Sequence, residues 1–281
     1  MRFLVLTAAG GVTDAVSGRA RALVDGDVPN RLSDNAVEIA FSGDLPAGVL
    51  TGEPIDVNVV SAQNRRKKLL IADMDSTMIP VECIDELADF AGVKSHVEEI
   101  TERSMRGELN FEASIIERVA LLKGLPESAL EQCYAERISL NPGAKTLVQT
   151  MNKLGAMTAL VSGGFRFFTG RVAVEAGFQM NQANELLFDG GKLSGKVGMP
   201  ILGQQAKQVT LNALCEAGGY TPADVLAVGD GANDRSMVQA AGLGVAYRAK
   251  QALADVADVC LNHSDITALL ALQGIGEDEY A

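Results

Sequence analysis

The sequence predicts an α/β protein: a doubly wound parallel sheet carrying a β-hairpin and an inserted helical bundle, preceded by a small α+β unit. Three observations lead there. From residue 68 onward, short wholly apolar runs alternate with stretches of helical period, as strands buried on both faces alternate with crossover helices. Between residues 80 and 140 the alternation stops and only helical periods remain. Before residue 66, apolar and polar positions alternate as they do in half-buried strands.

Taken in order, Phe3–Leu6 reads as a strand and Asp14–Leu23 as a helix with Val16, Ala20 and Leu23 inward. Val37–Phe41 and Ile55–Val59 follow as half-buried strands. The opening run from Met1 to Gly10 resembles a signal peptide only superficially. Its apolar core is short and Asp14 follows soon after, so it reads as the first strand. Ser61–Lys68, with the basic run Arg65-Arg66-Lys67-Lys68, reads as a solvated linker rather than an anion patch. The core strands are Lys68–Ala72, Thr158–Val161, Val225–Val228, Gly244–Tyr247 and Ala257–Leu261. Helices are predicted over Ala144–Leu154, Phe165–Ala176, Gln204–Glu216, Ser236–Ala241 and Ile266–Leu272. Asn184–Val197 reads as a hairpin whose turn, Asp189-Gly190-Gly191, is widened by the extra glycine. Within 80–140, Ile84, Leu87, Ala88 and Ala91 share one helical face, and Phe111, Ile115, Val119 and Leu122 another. Pro126 suits the first position of a further helix. About four short helices are expected there, as a cap over the carboxyl edge of the sheet, where such folds bind ligands. The expected division is a small unit over 1–66, a core of 67–79 and 141–281, and a cap over 80–140.

Composition narrows the function. The chain has 281 residues with 47% hydrophobic and 21% charged side chains, which excludes disordered and low-complexity classes. A net charge of −12 repels polyanions, so neither nucleic acid nor an anionic membrane is an expected partner. A small anionic substrate would need cations gathered locally. Cys83, Cys133, Cys215 and Cys260 form no CxxC pair, which points to a reduced, cytoplasmic setting. With only His96 and His263 in the chain, histidine chemistry has little to draw on.

Three strand ends carry the chemistry. Ile71-Ala-Asp-Met-Asp-Ser-Thr77 places Asp73 and Asp75 two apart, facing the same way at the end of a buried strand. Such a pair suits a nucleophile and a general acid sharing a magnesium counter-charge; two turn or capping aspartates are the alternative. Ala159-Leu-Val-Ser-Gly-Gly164 runs from strand to glycine to helix, where Ser162 and the glycine N–H groups would cradle an anion. Val228-Gly-Asp-Gly-Ala-Asn-Asp234 clusters Asp230, Asn233 and Asp234, oxygen donors for a hard cation. Lys207, at the start of a helix, reads equally as a solvated residue.

In this order, Asp73/Asp75, Ser162, Lys207 and Asp230/Asp234 resemble the haloacid dehalogenase-like phosphohydrolases. Glu82–Glu86, Gly107–Glu112, Arg118–Leu122 and Val161–Phe165 are similar to the phosphoserine phosphatase branch in particular. The likeness spans roughly residues 68–270. It implies a Rossmann-like catalytic core that hydrolyses O-phosphoserine, the last step of serine synthesis, with one Mg²⁺ per site. Asp73 would become an aspartyl-phosphate; Asp75 would protonate the leaving hydroxyl and then activate water. Asp73, the backbone carbonyl of Asp75 and Asp230 would hold the metal, supported by Asp234. Ser162, the Gly163 amide, Lys207 and Asn233 would take the phosphoryl oxygens, while Glu82 meets the substrate ammonium and Arg118 its carboxylate. Met105 and Phe111 match cap residues over the substrate, or pack as helix core. Residues 1–66 stand where relatives carry an ACT-type domain, here short and without a second repeat, a degenerate ACT-like unit. Three other readings stay open: phosphoryl transfer to another alcohol such as homoserine, hydrolysis of another small phosphomonoester, and a catalytically idle phospho-amino-acid sensor. Oligomeric state, serine feedback and the preferred substrate enantiomer are not legible.

Overall fold

The computed structural model describes all residues except Ala47, Thr51, Arg106 and Gly107, together with the side chains of Ser104 and Met105. The first unit contains β1 (Arg2–Thr7), α1 (Asp14–Val24), β2 (Asn30–Ser33), β3 (Ala36–Phe41) and β4 (Asp56–Ser61). They form an antiparallel sheet in the order β2-β3-β1-β4. Thr13 caps α1 through Val16 N, and Val16, Ala20 and Val24 cover Leu4, Leu6, Val37 and Ile39. Leu23, expected inward, is exposed. The four-residue β2 is too short and too polar to show in the sequence.

The other face of this sheet is not solvated either. Asp56, on β4, is 4% exposed and accepts hydrogen bonds from Asn262 N at 2.7 Å, His263 N at 3.0 Å and Ser264 Oγ at 2.6 Å. The Asn58 amide donates to Cys260 O and accepts from Cys260 N, standing in for a strand neighbour. The basic run is likewise engaged, which corrects its reading as a solvated linker. Arg65, with a side chain 10% exposed, pairs with Glu38 at 2.6 Å, donates to Leu272 O and Ala271 O, and lies over the Phe3 ring. Arg66 grips Glu279 with two bonds, Lys67 donates to Ala223 O, and Lys68 pairs with Asp224. Polar residues on half-buried strands usually face water; here they are the docking surface.

The core sheet has six parallel strands: β5 (Leu69–Ala72), β6 (Met157–Phe165), β7 (Met180–Asn184), β10 (Val225–Gly229), β11 (Leu243–Tyr247) and β12 (Val259–Leu261), ordered β12-β11-β10-β5-β6-β7. Successive side chains point to opposite faces. Leu70 and Ala72 therefore join one cluster with α6 (Ala144–Lys153), α7 (Arg166–Ala176) and α11 (Ala268–Leu272), while Leu69 and Ile71 join another with α8 (Gln204–Gly218), α9 (Arg235–Ala240) and α10 (Gln251–Ala254). This is the doubly wound arrangement, and no helix among the described residues is long and apolar enough to cross a membrane. Neither β7 nor α10 is visible in the sequence, β7 because Met180-Asn-Gln-Ala-Asn184 has no apolar run.

Between β5 and β6 the chain forms α2 (Cys83–Phe90), α3 (Lys94–Met105), α4 (Phe111–Leu121) and α5 (Glu127–Arg137). Pro126 sits one position earlier than expected, at the N-cap of α5 with extended ψ. The hairpin β8 (Leu186–Asp189) and β9 (Lys192–Val197) closes through Gly190 and Gly191, both at positive φ, with Asp189 opposite Lys192. That is a tight two-residue loop rather than a widened one. Backbone bonds Gly124 N→Leu193 O, Leu193 N→Leu125 O and Glu127 N→Gly191 O fasten it to the α4–α5 junction. At the base, Asn141 Nδ2 donates to Thr77 O and Asn141 N to Met78 O, joining the chain's exit from the core to its return.

Asp56→Ala would leave several buried donors unpaired. It is expected to cost about 3 kcal/mol or more in urea unfolding, against about 0.5 kcal/mol or less for the exposed Asp44→Ala.

Candidate active site

The apolar strand β5 ends at Ala72, and Asp73 N still donates to Val228 O at 3.0 Å, so the first carboxylate is fixed by the sheet itself. Beyond it the chain coils through Ser76 at φ +54, with Met74, Met78 and Ile79 wholly buried. This turn brings Asp75 against the start of α2: Asp75 Oδ1 accepts from Cys83 N at 2.9 Å. Its other oxygen accepts from Ser162 Oγ at 3.0 Å.

Ser162 does not stand at a helix start, as its motif suggested. Strand β6 continues to Phe165, and between Val161 and Phe165 its register against β7 slips, a bulge that turns Ser162, Gly163 and Gly164 toward the site. The bulge is held from β7 by Asn184, which donates to Gly163 O and exchanges hydrogen bonds with Leu202. Side-chain atoms on Gly163 and Gly164 would collide with their surroundings. A Cβ at Gly164 would lie 2.7 Å from Asp75 Oδ2, and one at Gly163 would lie 2.8 Å from Phe111 Cζ.

Strand β10 supplies the third group. Oxygens of Asp73, Asp230 and Asp234 lie within 4.8 Å of one another. Asp234 is oriented by Asp230 N and Gly231 N, which donate to its Oδ2. Lys207, only 2% exposed, places Nζ 2.7 Å from Asp73 Oδ1 and 2.5 Å from Asp234 Oδ1. Burial alone would lower this ammonium's pKa, but Asp234 and Asp73 outweigh burial and raise it. Burial and the charge of Asp234 push Asp73 up, with Lys207 acting against them. Burial and Asp234 likewise raise Asp230 to about 6. Three carboxylates thus crowd around one buried ammonium, with Lys250 as a further cation acting on Asp230.

Above this cluster lies a cavity of about 480 Å³ between the sheet edge and the cap. Its walls include Asp73, Asp75, Ser162, Gly163, Asp230 and Asn233 from the core, and Glu82, Phe111 and Arg118 from the cap. Lys207 and Asp234 do not line it; they form the layer beneath. The side chain of Asp75 stays outside the acidic cluster, whereas Asp234, expected only as support, belongs to it. Burial first, and then Asp75, raise Glu82 to about 7, although Ser76 Oγ donates to it at 2.6 Å. Arg118 is lowered by burial, opposed by Asp85 and Glu82. The side chain of Met105 lies outside the described residues. Sequence reasoning missed Asn184, which no motif marks, and Lys250, which lines the cavity and whose N–H donates to Asp230 O.

The family model described as haloacid dehalogenase-like hydrolase matches residues 70–239, from the strand before Asp73 to the helix after Asp234. The chain belongs to that family. Among curated relatives, a phosphoserine phosphatase of Archaeoglobus fulgidus is 43% identical over 221 residues, which is 79% of this chain and 64% of that protein's length. A solved phospho-aspartyl intermediate analogue of phosphoserine phosphatase is 40% identical, with a TM-score of 0.68 over 73% of this chain and 98% of the other. An unliganded probable phosphoserine phosphatase from Vibrio cholerae matches 99% of the chain and 88% of its own, at 31% identity and a TM-score of 0.82. Asp75 lies against the bare backbone of Gly164. Gly164→Ala, which drives a methyl group into Asp75, is therefore expected to lower kcat about a hundredfold while far-UV circular dichroism stays unchanged.

Proposed function

We propose that this enzyme hydrolyses O-phosphoserine to serine and phosphate through an aspartyl-phosphate on Asp73. The observation that carries the reading is one cavity joining two kinds of group: a carboxylate pair at its floor, and an acid and a guanidinium, Glu82 and Arg118, in its cap. The floor suits a phosphomonoester and the cap suits an α-amino acid zwitterion. Curated relatives named phosphoserine phosphatase support the same substrate.

In the first step an Asp73 oxygen attacks phosphorus, the bond from phosphorus to the ester oxygen breaks, and Asp75 gives its proton to the departing serine oxygen. In the second, Asp75 takes a proton from water, the water oxygen attacks the same phosphorus, and the bond to Asp73 breaks. Asp75 thereby regains the proton it gave, and Asp73 is released as a free carboxylate. Ser162, Asn233 and the Gly163 amide receive the equatorial oxygens, where the transferring group keeps its charge. Lys207, 2.7 Å from Asp73, offsets the nucleophile's charge so that it can approach a dianion. Asn184 holds the Ser162–Gly164 bulge in place.

The oxygen-only cluster of Asp73, Asp230 and Asp234, with two charges that Lys207 does not match, fits a small hard cation. Asp73, Asp230 and the carbonyl of Asp75 would hold one Mg²⁺, with Asp234 beside them. Bound there, the ion supplies neutralising charge to the phosphoryl oxygens. Four free cysteines, three of them buried, fit a cytoplasmic setting.

Phosphate release over a panel of monoesters tests the reading. O-phosphoserine is expected to exceed sugar phosphates at least about tenfold in kcat/KM, chelation to abolish turnover, and Asp73→Asn to lose about a thousandfold or more. Equal rates across the panel would remove the substrate and leave the reaction class. Titration offers a second check. Glu82 protonates near pH 7 in the free enzyme and then loses its attraction for an ammonium. The pH profile of kcat/KM for O-phosphoserine should therefore fall on the acid side of about 7, and Glu82→Gln should abolish that limb.

A further inference from the structure

Two polar atoms in the cap wall of the cavity have no hydrogen-bond partner among the described residues. They are Oγ of Ser114, which is 1% exposed, and the shielded Oδ1 of Asp85, a half-buried residue. Both residues line the cavity. Buried polar atoms are paired as a rule, so two unpaired ones in the wall of one cavity mark places for a ligand's polar groups.

Their positions repeat a pattern. Asp85 follows Glu82 by three residues at the start of α2, and Arg118 follows Ser114 by four within α4, so each new residue shares a helix face with one already assigned to the amino-acid end. Arg118 Nε donates to Ser114 O at 3.3 Å, which sets the guanidinium beside the hydroxyl. Asp85 and Arg118 act on each other electrostatically, yet they form no ion pair within 4.0 Å. An anion and a cation in one cavity wall, not joined in an ion pair, suit the two opposite charges of a zwitterion.

We propose that Asp85 and Ser114 are specificity-determining residues, Asp85 sharing the substrate ammonium with Glu82 and the Ser114 hydroxyl donating to the carboxylate that Arg118 takes. This rests on the reading of the substrate as O-phosphoserine. An ammonium has three N–H donors and can serve two carboxylates, and a carboxylate has lone pairs for both a guanidinium fork and a hydroxyl.

Full-length wild type, Ser114→Ala and Asp85→Asn would be compared on O-phosphoserine, O-phosphoethanolamine, which lacks the carboxylate, and p-nitrophenyl phosphate, which lacks both groups. For Ser114→Ala the kcat/KM ratio of O-phosphoserine to O-phosphoethanolamine should fall about tenfold. For Asp85→Asn the ratio of either amine to p-nitrophenyl phosphate should fall by a similar factor, with O-phosphoserine and O-phosphoethanolamine affected alike. Ser114→Ala removes an unbonded hydroxyl, so its Tm should be unchanged or higher; a lowered Tm with unaltered ratios would make the serine structural and overturn the proposal. If Asp85→Asn does not fold, the Ser114→Ala ratios decide. A wild type that prefers O-phosphoserine, with variants that keep its ratios, would sink this inference alone. A wild type without that preference would sink the substrate reading and this inference with it.

Discussion

Burying a carboxylate costs several kcal/mol unless a cation meets it, and the site buries more carboxylates than its cations match. Asp73 and Asp234 share the ammonium of Lys207, Asp75 accepts from Cys83 N and Ser162 Oγ, and Asp230 stands close by. The arrangement persists because the surroundings fix it. Asp73 is pinned through its backbone to β10, Asp234 through two N–H groups of its own turn, and Lys207 has no route to solvent. The excess negative charge suits the cluster to a small hard cation.

Strand order converts this local tension into a site. Because β5 lies between β10 and β6, Asp73 and Asp75, Asp230 and Ser162 come from adjacent strand ends, although more than 150 residues separate the first from Asp230. The cap then supplies what the sheet edge lacks. Phe111 closes against Gly163, and Glu82 and Arg118 bring opposite charges to the far wall. The sheet edge thus provides the acidic cluster of the cavity, and the helices above it the paired opposite charges.

Much of this was legible because strand ends in a parallel sheet leave short signatures: an apolar run, then carboxylates or glycine. Asp73, Asp75, Ser162 and Asp230 each follow such a run, and the cap announced itself as helices without strands. Legibility failed where a residue acts through geometry that its neighbours in sequence do not encode. Asn184 ends a strand without an apolar run, and its importance comes from Gly163 and Leu202, both distant in sequence. Lys207 reads as an ordinary helix lysine until its burial is seen. Asp56, Asn58 and Arg65 look like solvent-facing polar residues; only the packing of one sheet against the rim of another makes them a clasp. The strand β2 has a single buried apolar residue and gives no periodic signal.

The hairpin β8–β9 has a mechanical effect. Its three backbone bonds to the α4–α5 junction tether the cap in addition to the two covalent crossings that Asn141 brings together. The cap is thus held at three places rather than two. The Phe111 ring, resting on the bare backbone of Gly163, adds a further contact between the cap and the sheet edge.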